Sequence, residues 1–355
     1  MISPGSTIGI LGGGQLGRMI AVAAAQLGYR CHIYAPEADS VAAEVSAAFT
    51  CAGWDDADAL ARFAADCAVV TYEFENVPVA PLAALPRPTV PHWRALETAQ
   101  DRLTEKTFVT GLGGRTAPFA PVDSAADLSA AIAALGAPGI LKTRRDGYDG
   151  KGQWRIASPA DAEALDLVPM TSGTPLIYEG LVHFAAEFSV ILCRGADGEI
   201  RFWDSAQNVH EDGILARSTV PAAAAIQDQV PIARALAAKV AEALDYVGVL
   251  TAEFFATDDG PVFNEIAPRV HNSGHWTIEG AVTSQFENHV RAILGLPLGD
   301  TWLAAKAVEM RNLIGADADD WEAILANPAN HLHLYGKGES RPGRKMGHVT
   351  RLVLR

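Results

Sequence analysis

The chain has 355 residues, 49% of them apolar and 20% charged. That length and balance exclude a disordered chain and a small disulfide-stapled scaffold, and predict two or three domains. Asp and Glu number 42 against 28 Lys and Arg, a formal net charge of −14, which disfavours nucleic acid or anionic membrane as a partner and favours a small substrate.

The opening, MISPGSTIGILGG, has no basic segment ahead of a long apolar one, so no signal peptide is expected. Residues 7–11 read as a buried strand, followed by Gly12, Gly14 and Gly17. Leu16, Met19, Ile20, Ala23, Ala24 and Leu27 then recur at helical spacing, and Gly28 stops the helix. A strand over 30–35, a helix over 56–65 and a strand over 68–73 complete a strand–helix–strand–helix–strand order, which predicts a parallel sheet. Gly12-x-Gly14-x-x-Gly17 has the form of a dinucleotide fingerprint, but Glu37 comes late and follows a proline. A tight packing turn and a different ligand on that turn are the other readings. Thr71–Asn76 ends a parallel strand, at the edge where open α/β sheets bind ligands; an ordinary strand cap explains it equally.

Prolines 78, 81, 86, 88 and 91 mark a connection, and 94–108 reads as one helix. After a helix over 127–135, Lys142 sits inside an apolar strand over 140–144, where an interior lysine needs a partner. The loop RDGYDGKGQ (145–153) carries three glycines and can fold over phosphates, although a solvated hairpin also accounts for them. Strands over 176–181, 187–192 and 199–203 predict a more antiparallel region, followed by a helix over 226–244. Strands 250–256 and 261–267 are joined by the turn TDDG, so Glu253 and Glu265 can point to one face. Buried like charges there call for a cation, and oxygen ligands suit magnesium. The polar run Arg269–His275 reads as a substrate-contacting loop rather than a zinc site. A helix over 277–294 and short strands over 332–335 and 347–354 follow. Between those strands Lys337, Arg341, Arg344, Lys345 and His348 form the one concentrated basic segment, which fits a phosphomonoester pocket better than a solvated loop. No stretch approaches the roughly 18 apolar residues of a membrane span. Cys31, Cys51, Cys67 and Cys193 form no Cys-x-x-Cys pair and read as free thiols of a reducing compartment.

Six segments in order, ILGGGQLGRM (10–19), TYEFENV (71–77), QDRLTEK (100–106), LKTRRDGYDGKGQ (141–153), FNEIAPRVHNSGHWT (263–277) and GKGESRPGRKMGHV (336–349), resemble the N5-carboxyaminoimidazole ribonucleotide synthase family of ATP-grasp enzymes. The resemblance implies an α/β ATP-grasp fold with a Rossmann-like N-terminal domain (1–105), a lid (106–180), a large subdomain (181–300) and a β-rich C-terminal segment (301–355). It implies a cytoplasmic homodimer using ATP and Mg2+ to carboxylate 5-aminoimidazole ribonucleotide with bicarbonate, through carboxyphosphate. A formate-using glycinamide ribonucleotide transformylase is the nearest alternative. By position, the resemblance assigns Arg102 and Lys142 to the nucleotide phosphates, with Asn264 also on the nucleotide. It assigns Glu179, Gly180, Leu181 and Val182 to adenine, Glu187 to ribose, and Glu253 and Glu265 to magnesium. Gln15, Glu73, Asn76, Tyr148, Asp149, Asn272 and Ser273 are implied around the aminoimidazole nucleotide, and Lys337, Arg341, Arg344 and Lys345 at its phosphate. Arg269 and His275 are implied beside bicarbonate and the amine. The family usually has Pro where this chain has Val270, and the hinge EGLV brings no aromatic over the adenine.

Overall fold

Residues 1–147, 152–164 and 173–354 are described by a computed structural model. Apolar segments near the N-terminus form β1 (Thr7–Leu11), β2 (Arg30–Ala35), β3 (Ala48–Cys51) and β4 (Val69–Tyr72). They pair in parallel, in the order β3-β2-β1-β4. β1, β2 and β4 are buried almost throughout, as strands covered on both faces must be. β3 was not expected: it is a short, half-exposed edge strand with little apolar pattern. The helix Gln15–Gln26 makes the first crossover. Asp56 caps a second helix, Ala57–Ala65, by accepting from Ala59 N–H at 2.9 Å.

The single helix expected over 94–108 is two, Arg94–Ala99 and Arg102–Gly111. Asp101 breaks it: its backbone is extended and its Oδ1 accepts from Leu103 and Thr104 N–H. The same carboxylate pairs with Arg144 at 2.8 Å. The restart places Arg102, Glu105 and Lys106 on one helical face.

A second, antiparallel sheet holds β5 (Phe119–Val122), β6 (Gly139–Thr143), β7 (Gln153–Ile156) and β8 (Leu176–Gly180) in the order β5-β8-β6-β7. The helix Ala125–Leu135, capped by Ser124, packs on it through Leu128, Ala131 and Ile132 against Val122, Leu141 and Tyr178.

The third sheet takes β9 (Ala186–Arg194), β10 (Ile200–Phe202), β11 (Ala206–Glu211), β12 (Ile214–Val220), β13 (Gly248–Thr257), β14 (Gly260–Ala267), β15 (Ala307–Ile314), β16 (Asn330–Leu334) and β17 (Lys345–Val353). Its order is β14-β13-β9-β11-β12-β15-β17-β16, with β10 on β9. The C-terminal strands therefore extend the central sheet rather than forming their own. The expected helix over 226–244 is interrupted, giving Ala224–Gln227 and Val230–Ala243, with Pro231 in the first turn of the second. The one over 277–294 divides into Thr277–Gly280 and Gln285–Ile293, the latter restarted by the Ser284 cap.

Three register shifts interrupt the ladders. On β14 Asn264 is the extra residue opposite Glu253 and Phe254; on β12 it is Ala216, beside His210; on β17 it is Met346, beside Lys345. Bulges of this kind re-aim neighbouring side chains.

The first and third sheets share one hydrophobic core, in which Ile20 and Ala24 pack with Val290, Ile293 and Trp276. His289 ties the two sheets together. Its Nδ1 accepts from Val249 N–H at 3.2 Å, which leaves Nε2–H for Thr71 Oγ1 at 2.9 Å. Burial lowers this imidazole to about 4. The unfolded chain binds the proton already at pH 6.5 and the native state does not. This share of stability is complete above that window and is lost as pH falls from 6.5 through 4. We expect the thermal midpoint to drop by ~5 °C or more between neutrality and mild acid. The neutral His289→Gln variant should lose part of that slope; an unchanged slope would place the acid sensitivity elsewhere.

Candidate active site

A cleft of about 480 Å³ lies where the three sheets meet. Its acidic wall is the β13–β14 hairpin. Glu253 and Glu265 are direct register partners, so both carboxylates face the cleft as the spacing predicted. Burial and the facing Glu265 push Glu253 up to about 8. Burial would also raise Glu265, but Arg102, at 3.2 Å, and Lys142 outweigh it and hold this carboxyl below its ordinary value. Two facing carboxyl groups that raise each other's cost of ionisation form a site prepared for a cation. Among the described residues no cluster of three or more His, Cys, Asp or Glu side chains suits a metal on its own. A magnesium ion here would draw its remaining ligands from phosphate and water, as that ion commonly does.

The lid supplies the positive charge. Lys142 on β6 meets Glu179 on β8 at 2.9 Å, and Lys106 reaches the other oxygen of Glu179 at 3.4 Å. The partner that an interior lysine required is thus Glu179. This acid was expected at the adenine; it is 4% exposed and engaged by two ammonium groups. Burial would raise Glu179, but Lys106 and Lys142 hold it below its ordinary value; burial lowers Lys142 despite Glu179. In the hinge, Gly180 N–H donates to Pro118 O at 2.8 Å and Leu181 N–H to Pro138 O at 3.2 Å, so both amides serve the lid's own backbone. Leu181 and Val182 line a smaller cleft of about 390 Å³ behind the hinge. The hinge itself has no aromatic, but Phe184 and Phe255 stack at 4.5 Å and both line the main cleft, with Ile140 and Ile266. Glu187 lines it too, ion-paired with His210. Burial would lower that imidazole, but the Glu187 carboxylate overrides it and holds His210 above its ordinary value.

The glycine turn meets the cleft only through Gln15 and Leu16. Beneath it lies Glu73, whose Oε1 accepts from Gly14 N–H at 2.7 Å. A Cβ on Gly12 would come within 2.5 Å of that oxygen, and one on Gly17 within 3.1 Å of Glu73 Cγ. The glycines are therefore needed for close packing on a carboxylate. That carboxyl group takes the turn amide that a dinucleotide pyrophosphate would need, which removes the dinucleotide reading. Burial raises Glu73 despite the Gly14 bond. Expected as a substrate contact, Glu73 lies below the turn. Glu75 and Asn76 line the cleft instead, and Glu75 accepts from Arg269 Nε at 2.9 Å.

The loop after β14 brings Arg269, His271 and Asn272 to the cleft. His275, expected beside the reacting groups, is fully buried behind them, its ring 4.8 Å from that of His348. The short helical turn Asn272–Gly274 rotates the two histidines apart. His271 is the imidazole in the wall. A buried chain of donors fixes it: Ser218 Oγ–H donates to Asn208 Oδ1, the Asn208 amide to Ser189 Oγ, and Ser189 to Ser273 Oγ at 2.8 Å. Ser273 lies 2.8 Å from His271 Nδ1, which also accepts from Ser273 N–H. This pattern assigns Nε2 as the protonated nitrogen, 3.3 Å from Glu253. Burial and then Arg269 hold His271 well below its ordinary value. Val270 is fully buried in the main core, so apolar packing holds the loop where the family's proline is missing.

Of the basic tail, Lys345 lines the cleft. Lys337 lies 5.6 Å over the Tyr335 ring, Arg344 is half-buried, and Arg341 is exposed. Tyr148 and Asp149 lie outside the described residues. Sequence reasoning missed Glu105, Phe184, His210 and Phe255 as wall residues; Glu75 and His271 lay within the strand end and the polar loop that it marked, without a role of their own. For His210 a signal existed: Asp212-Gly213, both at positive φ (50° and 79°), is a tight hairpin pair between two strands.

A lid sheet closing on an acidic hairpin, with interior lysines between them, defines an ATP-grasp enzyme. The ATP-grasp domain family model matches residues 107–286, the ribonucleotide synthetase preATP-grasp domain matches 5–100, and the phosphoribosylaminoimidazole carboxylase C-terminal domain matches 309–353. An N5-carboxyaminoimidazole ribonucleotide synthase of Brucella melitensis biotype 1 is 52% identical over 354 residues, covering 99% of this chain and 97% of its own length. The synthetase structure from Thermus thermophilus is 46% identical with a TM-score of 0.89, covering 97% of this chain and 93% of that one. The Aspergillus clavatus synthase, in complex with ADP and 5-aminoimidazole ribonucleotide, is 31% identical with a TM-score of 0.88, covering 98% and 94%. The chain belongs to the N5-carboxyaminoimidazole ribonucleotide synthase family. Among the described residues no helix is long and apolar enough to cross a membrane.

Proposed function

We propose that the chain uses ATP and bicarbonate to carboxylate the exocyclic amine of 5-aminoimidazole ribonucleotide. The observation that carries this is the convergence, in one cleft, of a lid lysine, an acidic pair and a separate basic residue from the C-terminal strand. ATP lies between lid and central sheet, its purine near Phe184, Phe255, Ile140 and Ile266. Glu187 and His210 reach the ribose. Arg102 and Lys142 bind the phosphates, and Lys142 is released to them as its contact with Glu179 loosens. Glu253 and Glu265 hold magnesium, which when bound offsets phosphate charge. Arg269, His271 and Asn272 hold bicarbonate in line with the γ-phosphate. A bicarbonate oxygen attacks that phosphorus and the bond to ADP breaks, giving carboxyphosphate. This splits to carbon dioxide and phosphate, and the amine nitrogen attacks the carbon. The amine proton passes to the released phosphate or to a side chain of the cleft. Fixed cations and donors stabilise such phosphoryl transfer by preorganisation. Tyr148 and Asp149, with Gln15 and Asn76, complete the nucleotide pocket, and Lys345 grips its phosphate. The same reading gives a cytoplasmic homodimer with domains 1–105, 106–180, 181–300 and 301–355.

ADP release with each acceptor omitted in turn tests the assignment. Turnover should require ATP, bicarbonate and the aminoimidazole ribonucleotide for full rate; turnover that needs formate and ignores bicarbonate would indicate the transformylase instead. Glu265→Gln removes one ligand and one charge from the phosphoryl step, and kcat should fall by about 100-fold or more. ATP turnover preserved at ordinary magnesium would remove Glu265 from the cation site.

Lys345→Ala deletes one charge-assisted contact, so KM for the ribonucleotide should rise by about 10- to 100-fold while KM for ATP moves by less than about 3-fold. The reverse pattern would put Lys345 at the nucleotide triphosphate.

A further inference from the structure

The helix Arg102–Gly111 grips three successive residues of β14. β14 is an edge strand; Phe263 N–H donates to Arg115 O in an isolated bridge, and beyond that bridge its outward edge meets no other named strand among the described residues. The bulge at Asn264 turns its carbonyl outward, where Lys106 Nζ donates to it at 3.1 Å. Ile266 N–H donates to Glu105 Oε1 at 2.7 Å. Arg102 Nη1 reaches Glu265 Oε2 at 3.2 Å. Positions 102, 105 and 106 lie on one face of the helix, and each meets one of the residues 264, 265 and 266. Glu105 and Lys106 are each 1% exposed. Glu105 is buried to hold one backbone group, where an amide would make the same bond with less desolvation; Lys106 serves the Asn264 carbonyl and Glu179 together. What these two bonds fix is the stretch of strand from which Asn264 and Glu265 project into the cleft.

We propose that Glu105 and Lys106 are positioning residues: they hold the bulged edge of β14 so that Glu265 and Asn264 present their side chains to the cation and the nucleotide. This rests on Glu265 being a cation ligand. Neither residue donates to the reacting atoms; their effect passes through the backbone of 264–266.

The test compares Glu105→Leu with Glu105→Gln, reading ADP binding by calorimetry with EDTA and across a magnesium titration. The glutamine keeps an oxygen for Ile266 N–H and should bind as the unmodified protein does. The leucine variant should need about 10-fold more magnesium for the same binding, as loss of outer support for a metal ligand commonly costs. Its magnesium-free ADP binding should change by less than about 2-fold, because the adenine and ribose contacts lie elsewhere. An unfolding defect alone would not separate those two conditions. A folded leucine variant with unaltered magnesium dependence would overturn the proposal, as would a glutamine variant as impaired as the leucine one. If the leucine variant does not fold, Lys106→Met reads the same shift through Asn264, and an unchanged magnesium requirement there overturns it. Glu265→Gln, measured alongside, separates the two assignments. If its magnesium requirement is unchanged, the cation site itself is misassigned. If it shifts while the clamp variants do not, only the clamp is wrong.

Discussion

The cleft is governed by the need to keep buried charge balanced before any ligand arrives. Lys142, Lys106 and Arg102 come from a strand and a helix at the lid; Glu179, Glu253 and Glu265 face them from the lid and the central sheet. None of these pairs adds much to folding, because desolvation offsets most of the attraction. Their service is to hold the cations in place, with carboxylates that a polyphosphate can replace. Nucleotide binding at this site is accordingly an exchange of partners rather than a simple addition of contacts. Lys142 is the clearest case, since burial disfavours its charge and the one close carboxylate sustains it.

That balance dictates the architecture. The lid must be its own sheet, so that Lys142 and Glu179 can sit on neighbouring strands with an apolar core on the opposite face to hold them. The acidic hairpin must belong to a different sheet, so that the two faces approach across a gap. The N-terminal sheet adds Gln15, Glu75 and Asn76 at the cleft's far end, and its orientation is fixed by the core shared through the helix Gln285–Ile293.

Much of this was legible in the chain. The parallel order of the first strands, the acidic hairpin with its TDDG turn and the need of Lys142 for a partner all follow from local pattern. What was not legible is tertiary. Glu179 lies 37 positions from Lys142, and nothing local links them. Glu73 and Glu75 sit two apart, yet one is under the turn and the other on the cleft, because β4 ends at Tyr72 and strict alternation ends with it. His271 and His275 exchange places because a single helical turn separates them. Three expected helices are broken where Asp101, Pro231 and Ser284 restart the backbone. At such points a polar cap or a ring competes with continuous apolar spacing.

The three strand irregularities, at Asn264, Ala216 and Met346, stand beside Glu265, His210 and Lys345. Each of these sheet positions thus depends on a residue count as well as on a residue type. Removing Asn264 would let β13 and β14 pair regularly, and the ladder itself would gain. The register partners on either side would stay as they are, but the local bend and the carbonyl that Lys106 holds would be lost, and with them the present aim of the residues beside the bulge. In such stretches a gap is a graver change than a substitution, even where the lost side chain touches nothing. Divergence in this protein should therefore tolerate altered letters along these strands far more readily than altered lengths.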